Sequence, residues 1–450
     1  MKSTSVASQR ARLQVFVAMG VLGICSGGML LRLEPFTTWY YAMAWWPFIF
    51  IMDGVVLWKK GNSLFWRNPK EFFSLAMLSI PVWLFFEIYN LLLQNWYYVG
   101  SSRSWEMRWL GYIICFATVL PAVFEAQELV GAIGLVPELN TRPLPQGRLL
   151  APALMAAGFL CLVLPLLIPS YGFPLIWIAL IFLLEPVNKI WGQPSLLREM
   201  ERGSITMPLR LLAGGLLCGL AWELFNFNAL CKWIYTVPHF EELKLFEMPL
   251  AGFLGFPPFA LECYVIVQFI KGIMRRAKTA AIRWSCVGIT CVASVGVFPL
   301  LDKYTVNSVH PLLEDLKDLA PQEARILEQA GIKRLDLWVL RPGTRARESL
   351  ALELLGATPE VVAKWRTWAA MAALKGMGTQ NLRLMMEAGV FKLGDLANQE
   401  PQALAKKLGE IQQIKSWARQ TPREAQVRLW VREAKRICSG EAEPAWPGCK

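Results

Sequence analysis

Apolar residues dominate the first 300 positions in runs of about 20, separated by short polar stretches. A helix rises ~1.5 Å per residue and a bilayer core is ~30 Å thick, so each run is long enough to span it. The pattern predicts spans at 14–31, 38–58, 72–96, 109–133, 149–169, 173–191, 206–230, 247–271 and 284–301. Trp39, Tyr40, Trp58, Trp96, Tyr97, Trp191, Trp233 and Tyr235 fall near the ends of these runs and read as interfacial belts. After Leu301 the chain turns charged and rich in Ala and Leu, with helical periodicity and a cap at Thr358-Pro359-Glu360. The fold class expected is all-α: a polytopic membrane bundle of about nine spans followed by a soluble helical domain.

The polar positions inside the runs recur. Asp53 matches Glu185 at an offset of 132, and Glu87 with Asn90 matches Glu223 with Asn226 at 136. Trp96-x-Tyr98 matches Trp233-x-Tyr235, and Pro121-x-x-x-Glu125 matches Pro258-x-x-x-Glu262, both at 137. The drift runs one way, as small loop insertions produce. The expected domains are a four-span repeat at 1–135, a second at 136–283, a ninth helix at 284–301 and a helical domain at 302–450. An even number of spans per copy makes the repeats parallel.

Composition fits this picture. The chain is 55% hydrophobic and 18% charged, below the ~25% of soluble domains. Its net charge of +12 is what cytoplasmic loops of a membrane protein supply, so nucleic acid is not an expected partner. The basic loops carry Lys59, Lys60, Arg67, Lys70, Arg142, Arg148, Arg198, Arg202 and the cluster from Lys271 to Arg283. They place the N-terminus in the cytoplasm of the inner membrane and, with nine spans, the C-terminal domain outside. Cys438 and Cys449, the only two Cys after residue 301, fit a disulfide there. The other Cys lie mostly in apolar runs as small fillers, and with His239 and His310 the only His no metal or cofactor is expected.

The candidate chemistry lies with the intramembrane acids Asp53, Glu87, Glu125, Glu185, Glu223 and Glu262, with Glu128 one turn from Glu125. Buried carboxylates in spans are costly and normally mark function, although a structural polar core is the competing reading. As catalytic groups they would pair a protonated acid with a carboxylate, oriented by Asn90 and Asn226 one turn away. The stretch Glu247 to Pro258 is interrupted by Gly and Pro and predicts a broken helix, with its counterpart at Gly111 to Pro121 less interrupted.

In the tail, Arg325-Ile-Leu-Glu-Gln-Ala-Gly-Ile-Lys-Arg-Leu-Asp-Leu-Trp is echoed by Leu382-Arg-Leu-Met-Met-Glu-Ala-Gly-Val-Phe-Lys-Leu-Gly-Asp-Leu. These residues, with the segment from Arg345 to Trp368, resemble the tandem helix-hairpin-helix modules of a bacterial domain family of unknown function, over about 310–410. The resemblance implies a Gly-rich turn able to hold a phosphate, at Gly376 and Gly378; the first copy has Ala320-Pro321 there, which lacks an N–H. The membrane part is only loosely similar to membrane lycopene cyclases and prenyltransferase-like proteins, without their acidic signatures. Three functions follow as alternatives: acid–base chemistry on an apolar isoprenoid or lipid, transport through a cavity between the repeats, or a scaffold whose tail binds a protein. The expected partners are membrane lipids and an apolar small molecule.

Overall fold

The computed structural model describes residues 2–145, 147–236, 243–341, 352–440 and 447–449. His239 and the portion of the Arg345–Trp368 segment before residue 352 lie outside them. Among the described residues nine helical segments are long and apolar enough to cross a membrane: Val6–Leu30, Phe36–Lys60, Pro69–Leu93, Trp105–Ala132, Leu150–Leu167, Pro169–Ile190, Thr206–Asn228, Leu250–Arg276 and Ala280–Tyr304, spans 1 to 9. The protein is a multi-pass all-α bundle followed by a helical C-terminal domain.

Three spans are not single α-helices. Span 6 opens with a helical turn, Pro169–Gly172, and a 3₁₀ turn, Phe173–Leu175, before its α-helix Ile176–Ile190. Span 8 opens as a 3₁₀ helix, Leu250–Gly255, where the Gly and Pro residues predicted a break. Span 4 also breaks, between Phe116 and Val119, where a milder interruption was expected. Pro121 has no N–H to return to the preceding turn. Ser79 of span 3 repairs the gap: its hydroxyl donates to the Phe116 carbonyl and accepts from the Leu120 N–H. Both polar groups are thereby satisfied away from water.

Span 3 ends at Leu93, and Gln94 takes a left-handed conformation. The chain then forms β1 (Trp96–Val99), which pairs antiparallel with β2 (Lys232–Tyr235) beyond span 7. The register sets Trp96 opposite Tyr235 and Tyr98 opposite Trp233. Each Trp-x-Tyr motif thus meets the other in a reciprocal way, as across a two-fold axis. The helices repeat this reciprocity. Trp45 of span 2 packs on Trp222 of span 7 at 6.0 Å, and Trp177 of span 6 stacks on Phe86 of span 3 at 5.0 Å. Gly100 ends the ribbon at φ +60, where a Cβ would lie 2.4 Å from the Leu230 carbonyl oxygen.

The chain leaving span 9 joins this ribbon. The Tyr98 N–H donates to the Thr305 carbonyl, and the Asn307 N–H donates back to Tyr98, both at 2.8 Å. The His310 N–H reaches the Ser101 carbonyl at 3.0 Å. The C-terminal domain therefore sits over the ribbon end of the bundle, built on a core that includes Leu327, Leu335, Trp365, Leu382, Leu393 and Trp430.

Candidate functional site

Glu87 and Glu223 are both fully buried, each beneath the ribbon. Glu87 lies one turn after Trp83, so the indole N–H and one carboxylate oxygen meet on the same helix face. That oxygen, Oε1, accepts from Trp83 Nε1 at 2.9 Å, Trp96 Nε1 at 3.1 Å and the Tyr98 hydroxyl at 2.5 Å. Glu223 Oε1 accepts from the Tyr235 hydroxyl at 2.7 Å, with the Trp233 side chain beside it. In both residues Oε2 is buried without a hydrogen-bond partner. Burial and the adjacent carboxyl push the Tyr98 and Tyr235 phenols well above their usual range, which keeps both hydroxyls protonated as donors.

Asn90 and Asn226 do not orient these carboxyls. The Asn90 amide donates to the Trp96 carbonyl and accepts from the Asn95 and Trp96 N–H groups. Asn226 donates to the Trp233 carbonyl and accepts from its N–H. Each side chain replaces the helical hydrogen bonds lost at the turn into the ribbon.

The remaining acids do not gather at one centre. Asp53 accepts from the Phe65 N–H and from Gln14 Nε2. Glu185 accepts from the Leu197 N–H and the Ser195 hydroxyl. Each thus anchors the start of a short helix after its span, Leu64–Arg67 or Leu196–Glu201. Glu125 faces Asp53, and Glu262 accepts from the Leu180 N–H in span 6. Glu128 pairs with Arg67 at 2.8 Å.

Beside the ribbon lies a cavity of about 520 Å³. Its walls come from spans 3, 6, 7 and 8 and from both strands, with Trp96, Trp177, Trp222, Trp233, Tyr235 and Phe259 prominent. None of the six acids lines it. The carboxyls stand behind the wall and hold its tyrosines and tryptophans by their polar ends. Trp96 is buried and Trp233 lines this cavity, so neither belongs to an interfacial belt.

The Gly-rich turn of the tail is not open to a phosphate. Gly376, at φ +76, presses against β1: a Cβ there would lie 2.9 Å from Val99 Cγ1. A Cβ on Gly378 would meet the Ser308 side chain at 3.2 Å. Lys375, just before Gly376, binds Glu247 at 2.7 Å, and Lys232 binds the same carboxylate oxygen at 2.7 Å. Burial acts to raise the Glu247 carboxyl, but the two ammonium groups outweigh it and hold it at about 2. Burial would also lower Lys375, yet Glu247 and Glu433 raise it. The Gly-rich turn is thus occupied by an internal interface.

The sequence reading missed the wall itself. Its signal was present in Trp83, four residues before Glu87, and in the paired Trp-x-Tyr motifs, whose indoles and phenols needed acceptors. It also missed Lys232 and Glu247, marked only as lone charges flanking apolar runs.

Residues 317–437 match a family described as Domain of unknown function (DUF4332). The match runs beyond the residues that carried the resemblance, through most of the last helix, Glu424–Cys438. No curated protein and no solved structure matches the chain.

Proposed function

We propose that this membrane protein binds an apolar small molecule, of the lipid or isoprenoid class, in the aromatic cavity beside the ribbon. The observation that carries this reading is the cavity: about 520 Å³, within the ~300–1,000 Å³ of small-molecule sites, and walled by aromatic rings. Of the polar groups that line it, the Trp96 indole and the Tyr98 and Tyr235 hydroxyls are already donated to Glu87 and Glu223. A ligand there meets ring faces and edges more than free donors, which selects for hydrocarbon. Acid–base chemistry on such a ligand would have to pass through the two phenols, because the carboxyls stand behind them.

The reciprocal ribbon and the paired Trp45–Trp222 and Trp177–Phe86 contacts support an origin of the two halves by duplication. The tail caps the bundle end opposite the basic loops, which supports a cytoplasmic N-terminus and an extracytoplasmic tail. A Cys438–Cys449 disulfide in that tail agrees.

The test is what the protein carries out of the membrane. Gly255 sits at the cavity wall with an ordinary φ of −77, and a Cβ there would lie 3.7 Å from the Trp177 ring. Gly255→Phe therefore fills the cavity. Wild type purified in mild detergent should retain an apolar molecule in mass spectrometry of the extract, and Gly255→Phe should lose it at unchanged melting temperature. Equal content in both would overturn the reading.

A further inference from the structure

The large cavity has a counterpart. A second cavity of about 110 Å³ lies across the ribbon, walled by spans 2, 3, 4 and 7 and by both strands. The two correspond residue by residue at the sequence offsets of the repeats. Trp39 and Tyr41 stand where Tyr171 and Phe173 stand in the large cavity, and Gly111 stands where Met248 does. Both strands reach both cavities: Tyr98 and Trp233 line each, while Trp96 and Tyr235 line the large one. Tyr112 takes up room on the small side, where Pro249 stands on the large side. Its hydroxyl is fixed to Asp302 of span 9 at 2.9 Å and its ring stacks on Phe116.

Only a single layer of side chains separates the two spaces. Trp83, Tyr98, Trp222 and Trp233 line both. They touch one another through ring contacts, Trp83 to Trp222 at 5.1 Å and Trp222 to Trp233 at 5.9 Å. Their polar ends reach the two carboxyls: Trp83 and Tyr98 bind Glu87, and Trp233 lies beside Glu223. The second oxygen of each carboxyl is buried and unpartnered. An unmade buried hydrogen bond costs ~1–3 kcal/mol. A ring that swings from Oε1 towards Oε2 keeps its hydrogen bond and satisfies that atom. Each carboxyl thus keeps a free acceptor on the side of the partition residues it holds.

We infer that the two cavities are arms of one site for a single elongated apolar chain, which lies across the partition with its longer part in the large cavity. This rests on the apolar-ligand reading above. At about 110 Å³ the small arm falls below the ~300 Å³ floor for an independent small-molecule site, so its use is as an extension. A chain that ends within the large cavity gains nothing from the small arm; a longer one buries its extra units there.

The test uses the full-length protein in detergent and three probes of rising length, geraniol, farnesol and geranylgeraniol, with affinity and stoichiometry read by native mass spectrometry. In wild type the step from farnesol to geranylgeraniol should strengthen binding about tenfold or more, since each buried methylene contributes ~0.8 kcal/mol. Gly111→Phe fills the small arm, for a Cβ there has only the Trp39 ring near it, at 4.0 Å. It should abolish that step, so that geranylgeraniol binds no more tightly than farnesol. Cys115→Phe fills the same arm independently. A step that persists in both Phe variants overturns the inference, as does wild type binding two farnesols with no gain for geranylgeraniol. Wild type binding no probe, or Gly255→Phe binding all of them normally, overturns the underlying apolar-ligand reading instead.

Discussion

Glu87 accepts three hydrogen bonds on one oxygen, and this decides what its replacement does. Leu at this position leaves two indole N–H groups and a phenol unsatisfied in the interior. We expect Glu87→Leu to cost roughly 3 kcal/mol or more, and Glu87→Gln, which keeps one acceptor oxygen, markedly less. Thermal melting in detergent ranks the two; equal losses would mean that the three donors find other partners. Asn90→Ala and Asn226→Ala should each cost about 1–3 kcal/mol, because each strips partners from the turn into the ribbon. A variant that melts like wild type would show that its turn holds without the amide. At this scale the sequence was half legible. The matched Glu and Asn positions stood out against an apolar background, but their partners did not. An Asn one turn from a Glu looks the same whether it faces the carboxyl or the backbone beyond the helix end. What decides is the chain's departure from helix at Gln94, and an apolar run that continues to Tyr98 hides it.

At the scale of elements the interface between the tail and the ribbon is the part most open to pH. His310 packs its ring against Thr38, with Nε2 3.2 Å from the hydroxyl, near Arg334 and Glu34. Burial and the Arg334 guanidinium, opposed by Glu34, push it down to about 3 from 6.5. The undocked imidazole takes up its proton first as pH falls, so docking is complete above about 6.5 and weakens from there towards 3. The slope should reach about 1.4 kcal/mol per pH unit. Between pH 6.5 and 5, protection factors at residues 306–310, corrected for the intrinsic pH dependence of exchange, should therefore fall, and His310→Gln should remove that fall. A second loss belongs to Glu247, whose carboxylate sits at about 2 against 4.5 unperturbed. Its contribution is present above 4.5 and fades as pH falls towards 2, so between 6.5 and 4.5 only the His310 loss acts. Helical spans were legible here because length and hydropathy determine them. The break in span 4 was legible only as a milder interruption, because the serine that stabilises it comes from span 3, 37 and 41 residues before the two groups it binds.

For the whole molecule, the order of spans was legible from the apolar runs, and so was the tail's family, from its echoed Ala-Gly segments. How the tail meets the membrane part was not. Its Gly-rich turn reads as a phosphate site until β1 occupies the space, and β1 itself reads as the end of a helix. With the tail outside, an impermeant maleimide should label Cys438 and Cys449 in intact cells only after a reductant is added; labelling that needs a breached membrane would place the tail in the cytoplasm. The central claim is narrower: the space between the halves holds an apolar molecule. A three-dimensional density map of the full-length protein, purified in native lipid without added ligand, tests it most directly. The account predicts continuous elongated density between Trp177 and Trp233, running towards Tyr98. Side chains collapsed into that space, or discrete water peaks bonded to Tyr98 and Tyr235, would contradict it.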